Sequence, residues 1–214
     1  MTERDQNNKD LDGFISNLGI DVYGVAPLRF LIDTDYPFKK YSNLIIQKFQ
    51  FAVVLGAQLH KLGTLAKGVD VSMFLEKAAF DVLQFFENRS YYSFIIHTED
   101  EFDPVRRSGL LSLKMLAKQA GLGWQGRSLL IISPKYGPLH RLIAILTNMP
   151  LQISEPLKNQ CGTCSICVDS CPVGALKFCQ FDDHPTSRED ILDLETCLGD
   201  NGCDICIKIC PFLK

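Results

Sequence analysis

All nine cysteines of this 214-residue chain fall after residue 160, and their spacing constrains the fold more than any other feature. The first run reads Cys161-Gly-Thr-Cys164-Ser-Ile-Cys167-Val-Asp-Ser-Cys171-Pro172. The second reads Cys203-Asp-Ile-Cys206-Ile-Lys-Ile-Cys210-Pro211, with Cys197 just upstream. Both runs end in Cys-Pro. A tight C-x2-C-x2-C loop wraps three corners of a [4Fe–4S] cubane but cannot curl far enough to supply the fourth thiolate. Where two clusters share a module, the fourth cysteine of one run caps the other cluster. The proline fixes φ and removes an N–H, turning the chain away from the thiolate. This assigns Cys161, Cys164, Cys167 and Cys210 to cluster one, and Cys171, Cys197, Cys203 and Cys206 to cluster two.

Eight ligands leave one cysteine over. Cys179 lies in the apolar stretch Ala-Leu-Lys-Phe-Cys-Gln-Phe, where a cysteine reads as a small buried hydrophobe. Cys197 closely precedes Cys203 among polar residues, and that context favours it over Cys179 as the eighth ligand. Residues 156–214 then form a ferredoxin-like two-[4Fe–4S] module. The competing reading is a zinc site with four thiolates, Cys161/Cys164 with Cys203/Cys206. It leaves four well-spaced cysteines and both prolines without a purpose. A disulfide framework needs an oxidising compartment, and the polar opening Met-Thr-Glu-Arg-Asp-Gln-Asn-Asn-Lys-Asp has no signal-peptide core. A cytoplasmic location is expected. No apolar run is long enough to span a membrane, and the pair Arg106-Arg107 is internal.

With 46% hydrophobic residues, the first two thirds of the chain can build a packed core unaided. A net charge of −3 without a block of like charges argues against a purely electrostatic nucleic-acid binder. Residues 1–10 are expected to fray. Leu11, Phe14, Ile15 and Leu18 have helical spacing, and Gly19 ends that helix. Residues 20–26 and the nearly wholly apolar 51–56 predict strands. Residues 69–88 predict a long helix with Met73, Leu75, Ala79, Phe80, Val82, Leu83, Phe85 and Phe86 inward, capped by Asp70 or Ser72. Strands are expected at 91–97, 129–133 and 141–147, and a helix capped by Ser108 over 110–120, closed by Gly121. His97 carries no assigned role. The fold class is α/β, a mixed sheet with helices over residues 1–155, joined by the linker 150–160 to the cysteine module.

Gly121-Leu-Gly123-Trp-Gln-Gly126 matches the G-x-G-x-x-G dinucleotide fingerprint, but in the wrong setting. That motif must follow a strand and open a helix. Here a helix precedes it, and a helix C-terminus repels phosphate. The glycines instead permit a tight turn with close backbone approach. Trp124, the only tryptophan, packs in this reading against the neighbouring cluster, a flat ligand or the interior. Gly121, Gly123 and Trp124 are the candidate cofactor-contacting residues. No catalytic residue emerges.

Ala117-Lys-Gln-Ala-Gly-Leu-Gly-Trp-Gln-Gly-Arg-Ser-Leu-Leu-Ile, Leu146-Thr-Asn-Met-Pro-Leu151 and the two cysteine runs together resemble the epoxyqueuosine reductase family and, more distantly, the reductive dehalogenases. Phe14-Ile-Ser-Asn-Leu-Gly-Ile-Asp-Val-Tyr-Gly-Val-Ala resembles that family's first helix and strand. The resemblance implies a cobalamin-dependent reductase, with a nitroreductase-like domain holding the corrinoid and two [4Fe–4S] clusters feeding it electrons singly. The chain departs from the family in three places. The family's acid, an aspartate, aligns with Arg107, leaving only Glu99, Asp100, Glu101 and Asp103 nearby; an arginine cannot supply a proton at neutral pH. Only five residues separate Cys197 from Cys203, where the family has a long insertion. The sequence ends just after Pro211, without the family's C-terminal helical-repeat domain, so tRNA is not expected as a substrate. The expected function is electron transfer by two [4Fe–4S] clusters, with a corrinoid as candidate acceptor and a partner protein as electron donor. The alternatives are a corrinoid-dependent reductase of a small molecule and a non-redox zinc module.

Overall fold

The computed structural model describes residues 2–31, 40–58, 68–98, 109–138, 140–199 and 202–213. The chain divides into two compact units: Met1–Gly121 with Arg141–Glu155, and Leu122–His140 with Pro156–Lys214. The segment Leu122–His140, placed by sequence in the first domain, is thus built into the second unit. Its hydrogen bonds to the cysteine segment, described below, are the reason.

The first unit opens on helix α1 (Glu3–Ser16). The expected fraying of residues 1–10 is corrected. Thr2 and Asp5 form a capping box, in which the Thr2 hydroxyl accepts the Asp5 N–H and the Asp5 carboxylate accepts the Thr2 N–H. The same turns are tied down at long range. Asn7 Nδ2 donates to the Pro150 carbonyl at 3.0 Å, and the Tyr91 hydroxyl donates to Glu3 at 2.9 Å. Polar residues were read as a loose tail, but their partners lie far off in sequence.

Strand β1 (Val22–Pro27) leads through a 3-10 turn (Leu28–Leu31) to α2 (Lys40–Lys48) and β2 (Phe51–Gln58). Helix α3 (Gly68–Glu87), β3 (Ser93–Ile96) and α4 (Leu113–Gln119) follow. Strand β6 (His140–Thr147) completes a four-stranded sheet of order β1-β2-β6-β3. The expected mixed sheet is corrected to an antiparallel one. β1/β2 and β3/β6 pair antiparallel. The Gln50 N–H meets the Thr147 carbonyl at one end of β2, and Gly56 faces the Arg141 carbonyl at the other, so β6 runs opposite to β2. The connection from β1 to β2 contains helix, yet it returns the chain beside β1 in the opposite direction. A helical connection was therefore a poor guide to strand direction.

Helix α3 packs Leu75, Ala79, Val82 and Phe86, spaced four, three and four residues apart, into one fully buried stripe. Met73 and Phe80, seven residues apart, fall on the opposite side and are 68% and 53% exposed, contrary to the expected apolar face. Asp70 and Ser72 lie inside the first turns rather than at the cap. The stripe joins Leu11 and Ile15 of α1, Val53 and Leu55 of β2, and Ile143 and Ile145 of β6 in one core. Helix α4 is shorter than expected. Ser112 caps it by accepting the Met115 N–H at 3.3 Å; Ser108 lies outside the described residues, as do Glu99, Asp100, Glu101, Asp103 and Arg107. Gly121 closes the helix at φ +71°, and a Cβ there would lie 2.5 Å from the Glu155 carbonyl oxygen. Among the described residues no helix is long and apolar enough to cross a membrane.

Candidate metal centre

The second unit contains a two-stranded sheet, β4 (Trp124–Gln125) with β5 (Ile131–Ile132), paired antiparallel. Sequence reading missed β4 because a two-residue strand carries no periodicity. Gly123 lets the strands close: a Cβ there would lie 2.3 Å from the Ile132 carbonyl oxygen. The turn predicted at Pro134-Lys-Tyr-Gly-Pro138 forms, with Ser133 and Gly137 exchanging backbone bonds of 2.9 and 2.8 Å. Of the three motif glycines, Gly121 and Gly123 serve close backbone approach, and Gly126 makes room for the Ile132 side chain.

The two cysteine runs fold alike. After Cys164, Ser165 precedes the single-turn helix α5 (Ile166–Asp169); after Cys203, Asp204 precedes α6 (Ile205–Lys208). Helical geometry carries each run to its Cys-Pro end, where the Cys171 N–H reaches the Val168 carbonyl and the Cys210 N–H reaches that of Ile207. Gly162, Gly174 and Gly202 have positive φ, and a Cβ on any of them would meet open space. These glycines are used for backbone direction alone. Between the runs, Leu176 and Leu192 form an antiparallel bridge, and Leu129, Leu176 and Ile191 make a small core against which Cys167, Cys171, Cys179 and Cys206 pack. Asp193 sets the approach to Cys197. Its carboxylate accepts the Thr196 hydroxyl and N–H and the Glu195 N–H, which hold it below the usual carboxylate range. The Cys197 N–H then donates to the Asp193 carbonyl.

All nine cysteines are free and partly buried. Burial pushes the Cys167 thiol up to about 11, aided by Cys161, Cys164 and Cys206. Burial likewise raises Cys206, with Cys203, Cys197 and Cys171 adding to it. Burial raises Cys210 against an N–H bond from Phe212, and Cys161 and Cys164 press in the same direction as burial. Cys171 differs. Burial works to raise it, but N–H groups of Leu176, Val173, Ala175 and Gly174 outweigh burial and hold its thiol below the ordinary range. Cys161 and Cys164 thus lie near both Cys167 and Cys210, and Cys203, Cys197 and Cys171 near Cys206, which is itself close enough to act on Cys167. The Cys179 thiol points to its neighbour's carbonyl, Gln180, at 4.0 Å. Among the described residues, no group of three or more His, Cys, Asp or Glu side chains is gathered closely enough for a single metal ion.

Segment 122–140 braces the first run. Trp124, 1% exposed, donates its indole N–H to Cys161 Sγ at 3.4 Å and meets Phe212 edge-on at 5.0 Å. Asn159 donates to the Gln125 carbonyl at 2.9 Å and accepts the Cys161 N–H at 2.8 Å. The Arg127 guanidinium donates to the carbonyls of Cys179 and Gly162. Trp124 therefore lies against a cysteine ligand candidate. Gly123 is occupied by β5, and Gly121 by residues 154–155. Arg127 was missed by sequence reading. Its signal was there: a lone cation in the glycine-rich, otherwise uncharged stretch 119–134. A surface cavity of about 710 Å³ in the first unit, lined by Asp10, Phe14, Asp81 and Arg89 among others, holds none of the candidate metal or cofactor residues.

His140 donates from Nδ1 to the Gly137 carbonyl at 3.1 Å when neutral. Burial pulls its imidazole down to about 4, against the partial opposition of that carbonyl. Above the ordinary histidine range both folded and unfolded chains hold it neutral, so it adds no pH dependence. As pH falls from about 6.5 to about 4, the unfolded chain takes up the proton first and stability drops. The expected loss is no more than about 2 kcal/mol, given partial solvent screening. Urea midpoints across that window should fall with acid in the wild type and fall less in His140→Gln.

The described residues thus comprise an α/β unit and a second unit that carries all nine cysteines, each of them free. No protein-family model matches the chain. It is similar to the epoxyqueuosine reductase of Listeria monocytogenes, 35% identical over 117 residues, which covers 49% of this chain and 30% of that protein. The Vibrio cholerae epoxyqueuosine reductase is 33% identical over 122 residues, 52% of this chain and 33% of its own length. Each match thus spans about a third of these curated relatives. In fold, the chain resembles an epoxyqueuosine reductase solved with a tRNA-Tyr epoxyqueuosine-modified stem loop, at a TM-score of 0.67 and 19% identity, covering 95% of this chain and 64% of that one. A catabolic reductive dehalogenase matches at a TM-score of 0.67 and 16% identity, over 94% and 31% of the two chains.

Proposed function

We propose that this chain is an iron–sulfur redox protein whose cysteine unit, a ferredoxin-like module, holds two [4Fe–4S] clusters and passes electrons singly. The observation that supports the reading is the nearness of Cys161 and Cys164 to both Cys167 and Cys210, and of Cys171, Cys197 and Cys203 to Cys206, while the Cys179 thiol faces the Gln180 carbonyl. The donor set fits: it is all soft thiolate, as cubane iron requires. When bound, the clusters supply one-electron reduction and oxidation. The chain's own residues do the rest. Backbone N–H groups following Cys171 stabilise its thiolate and Trp124 covers and bonds Cys161, and Cys171 and Cys210 at the two Cys-Pro turns would each supply the fourth ligand of the other run's cluster.

The acceptor in this reading is a corrinoid held by the α/β unit. It is supported by the likeness to epoxyqueuosine reductases and to reductive dehalogenases, one of which is described with a mechanism for B12-dependent dehalogenation. The electron donor is a partner protein. Titrating the anaerobic protein with hydroxocobalamin should shift the corrinoid's visible bands at one equivalent. Unshifted bands with the iron fully loaded would leave an electron carrier without a corrinoid.

A further inference from the structure

We infer that Arg127 is the buried counter-charge of cluster one and raises its reduction potential. The inference rests on the two-cluster reading above. Arg127 is 4% exposed. Its head donates to the carbonyls of Cys179 and Gly162 and packs over the rings of Phe178 at 4.8 Å and Phe181 at 5.6 Å. Its Nε has no hydrogen-bond partner, and among the described residues no carboxylate pairs with it. Carbonyls and rings lower the cost of burying a guanidinium but carry no opposite charge, and a buried ion without a counter-ion is strongly disfavoured. Its partner carbonyl at Gly162 sits inside the Cys161–Cys164 loop, next to a cluster-one thiolate. A cubane with four thiolates is a net anion, and reduction adds one more negative charge. A fixed cation beside it stabilises the reduced form more than the oxidised form. The Trp124 N–H on Cys161 acts in the same direction, because a hydrogen bond to sulfur strengthens as charge gathers there.

The test is an anaerobic, EPR-monitored redox titration of wild type, Arg127→Met and Arg127→Lys, with cluster one identified as the signal absent from Cys164→Ser. Arg127→Met should lower the reduced-to-oxidised ratio of cluster one about tenfold at fixed potential, a downward move of about 59 mV for one electron. Cluster two should stay in place. Arg127→Lys, which keeps charge and loses the fork, should retain most of the wild-type potential. Arg127 is overturned as counter-charge if cluster one does not move, if both clusters move together, or if Lys falls as far as Met. Where Met fails to hold the full iron load, the Lys variant decides: a near-wild-type potential upholds the inference and a Met-like fall ends it. A wild type lacking iron would instead defeat the two-cluster reading beneath it.

Discussion

Cys164→Ser should bring the iron content down from about eight to about four per chain, removing one EPR signal and leaving the other. The argument is geometric. Cys164, like Cys161, lies near both Cys167 and Cys210, and its N–H donates to the Cys161 carbonyl at 2.9 Å, closing the loop that would wrap three corners of one cubane. A serine hydroxyl is a hard, weakly acidic ligand and holds iron poorly in place of a thiolate. The second cluster would draw on Cys206 and the nearby Cys171, Cys197 and Cys203 and keeps its full set. Cys206→Ser should produce the complementary loss, and Cys179→Ser should leave all the iron in place. If Cys179→Ser loses about four irons, the preference for Cys197 as eighth ligand is wrong. Loss of every iron from Cys164→Ser would mean that the two clusters do not load independently.

Gly123→Val should destabilise the protein by about 3 kcal/mol and weaken retention of cluster one. A Cβ on Gly123 would sit 2.3 Å from the Ile132 oxygen and 2.7 Å from its carbonyl carbon. Both are backbone atoms of the paired strand, so no side chain can swing aside. The strands must part, and the Trp124↔Ile132 and Gln125↔Ile131 register goes with them. That register holds Trp124 against Cys161 and the Gln125 carbonyl against Asn159. Thermal unfolding and the iron-to-protein ratio after gel filtration read the two effects. Gly162→Ala is the contrast. It meets open space, and at φ +53° it costs only backbone strain of about 1 kcal/mol. Equal losses from the two substitutions would show that β4–β5 is not what braces the first run.

The cysteine pattern was legible because its spacing is local: C-x2-C and Cys-Pro are written within a dozen residues. The single-turn helices α5 and α6 inside the runs were not anticipated, because four residues are too few to show a period. Helix α3 was legible because burial imprints a helical period on neighbouring residues, and strand β2 because a strand buried on both faces reads as an unbroken apolar run. What sequence did not reveal lies in long-range partners. The tethers from Asn7 to Pro150 and from Tyr91 to Glu3 make an ordered helix of a polar N-terminus. Antiparallel pairing across helical connections is decided by which strands meet, which residue type does not encode. Segment 122–140 joins the second unit through Trp124, Gln125 and Arg127, each reaching residues more than 30 positions away. Arg127 marks the limit most clearly. Its charge was visible in the sequence, and its burial was not.

Anaerobic metal and sulfide analysis tests the central claim most directly. The account predicts about eight irons and eight acid-labile sulfides per chain, with zinc near zero. Four thiolate-bound zinc equivalents for every four chains, one per molecule, with iron and sulfide absent, would contradict it and leave the cysteine unit a structural zinc module.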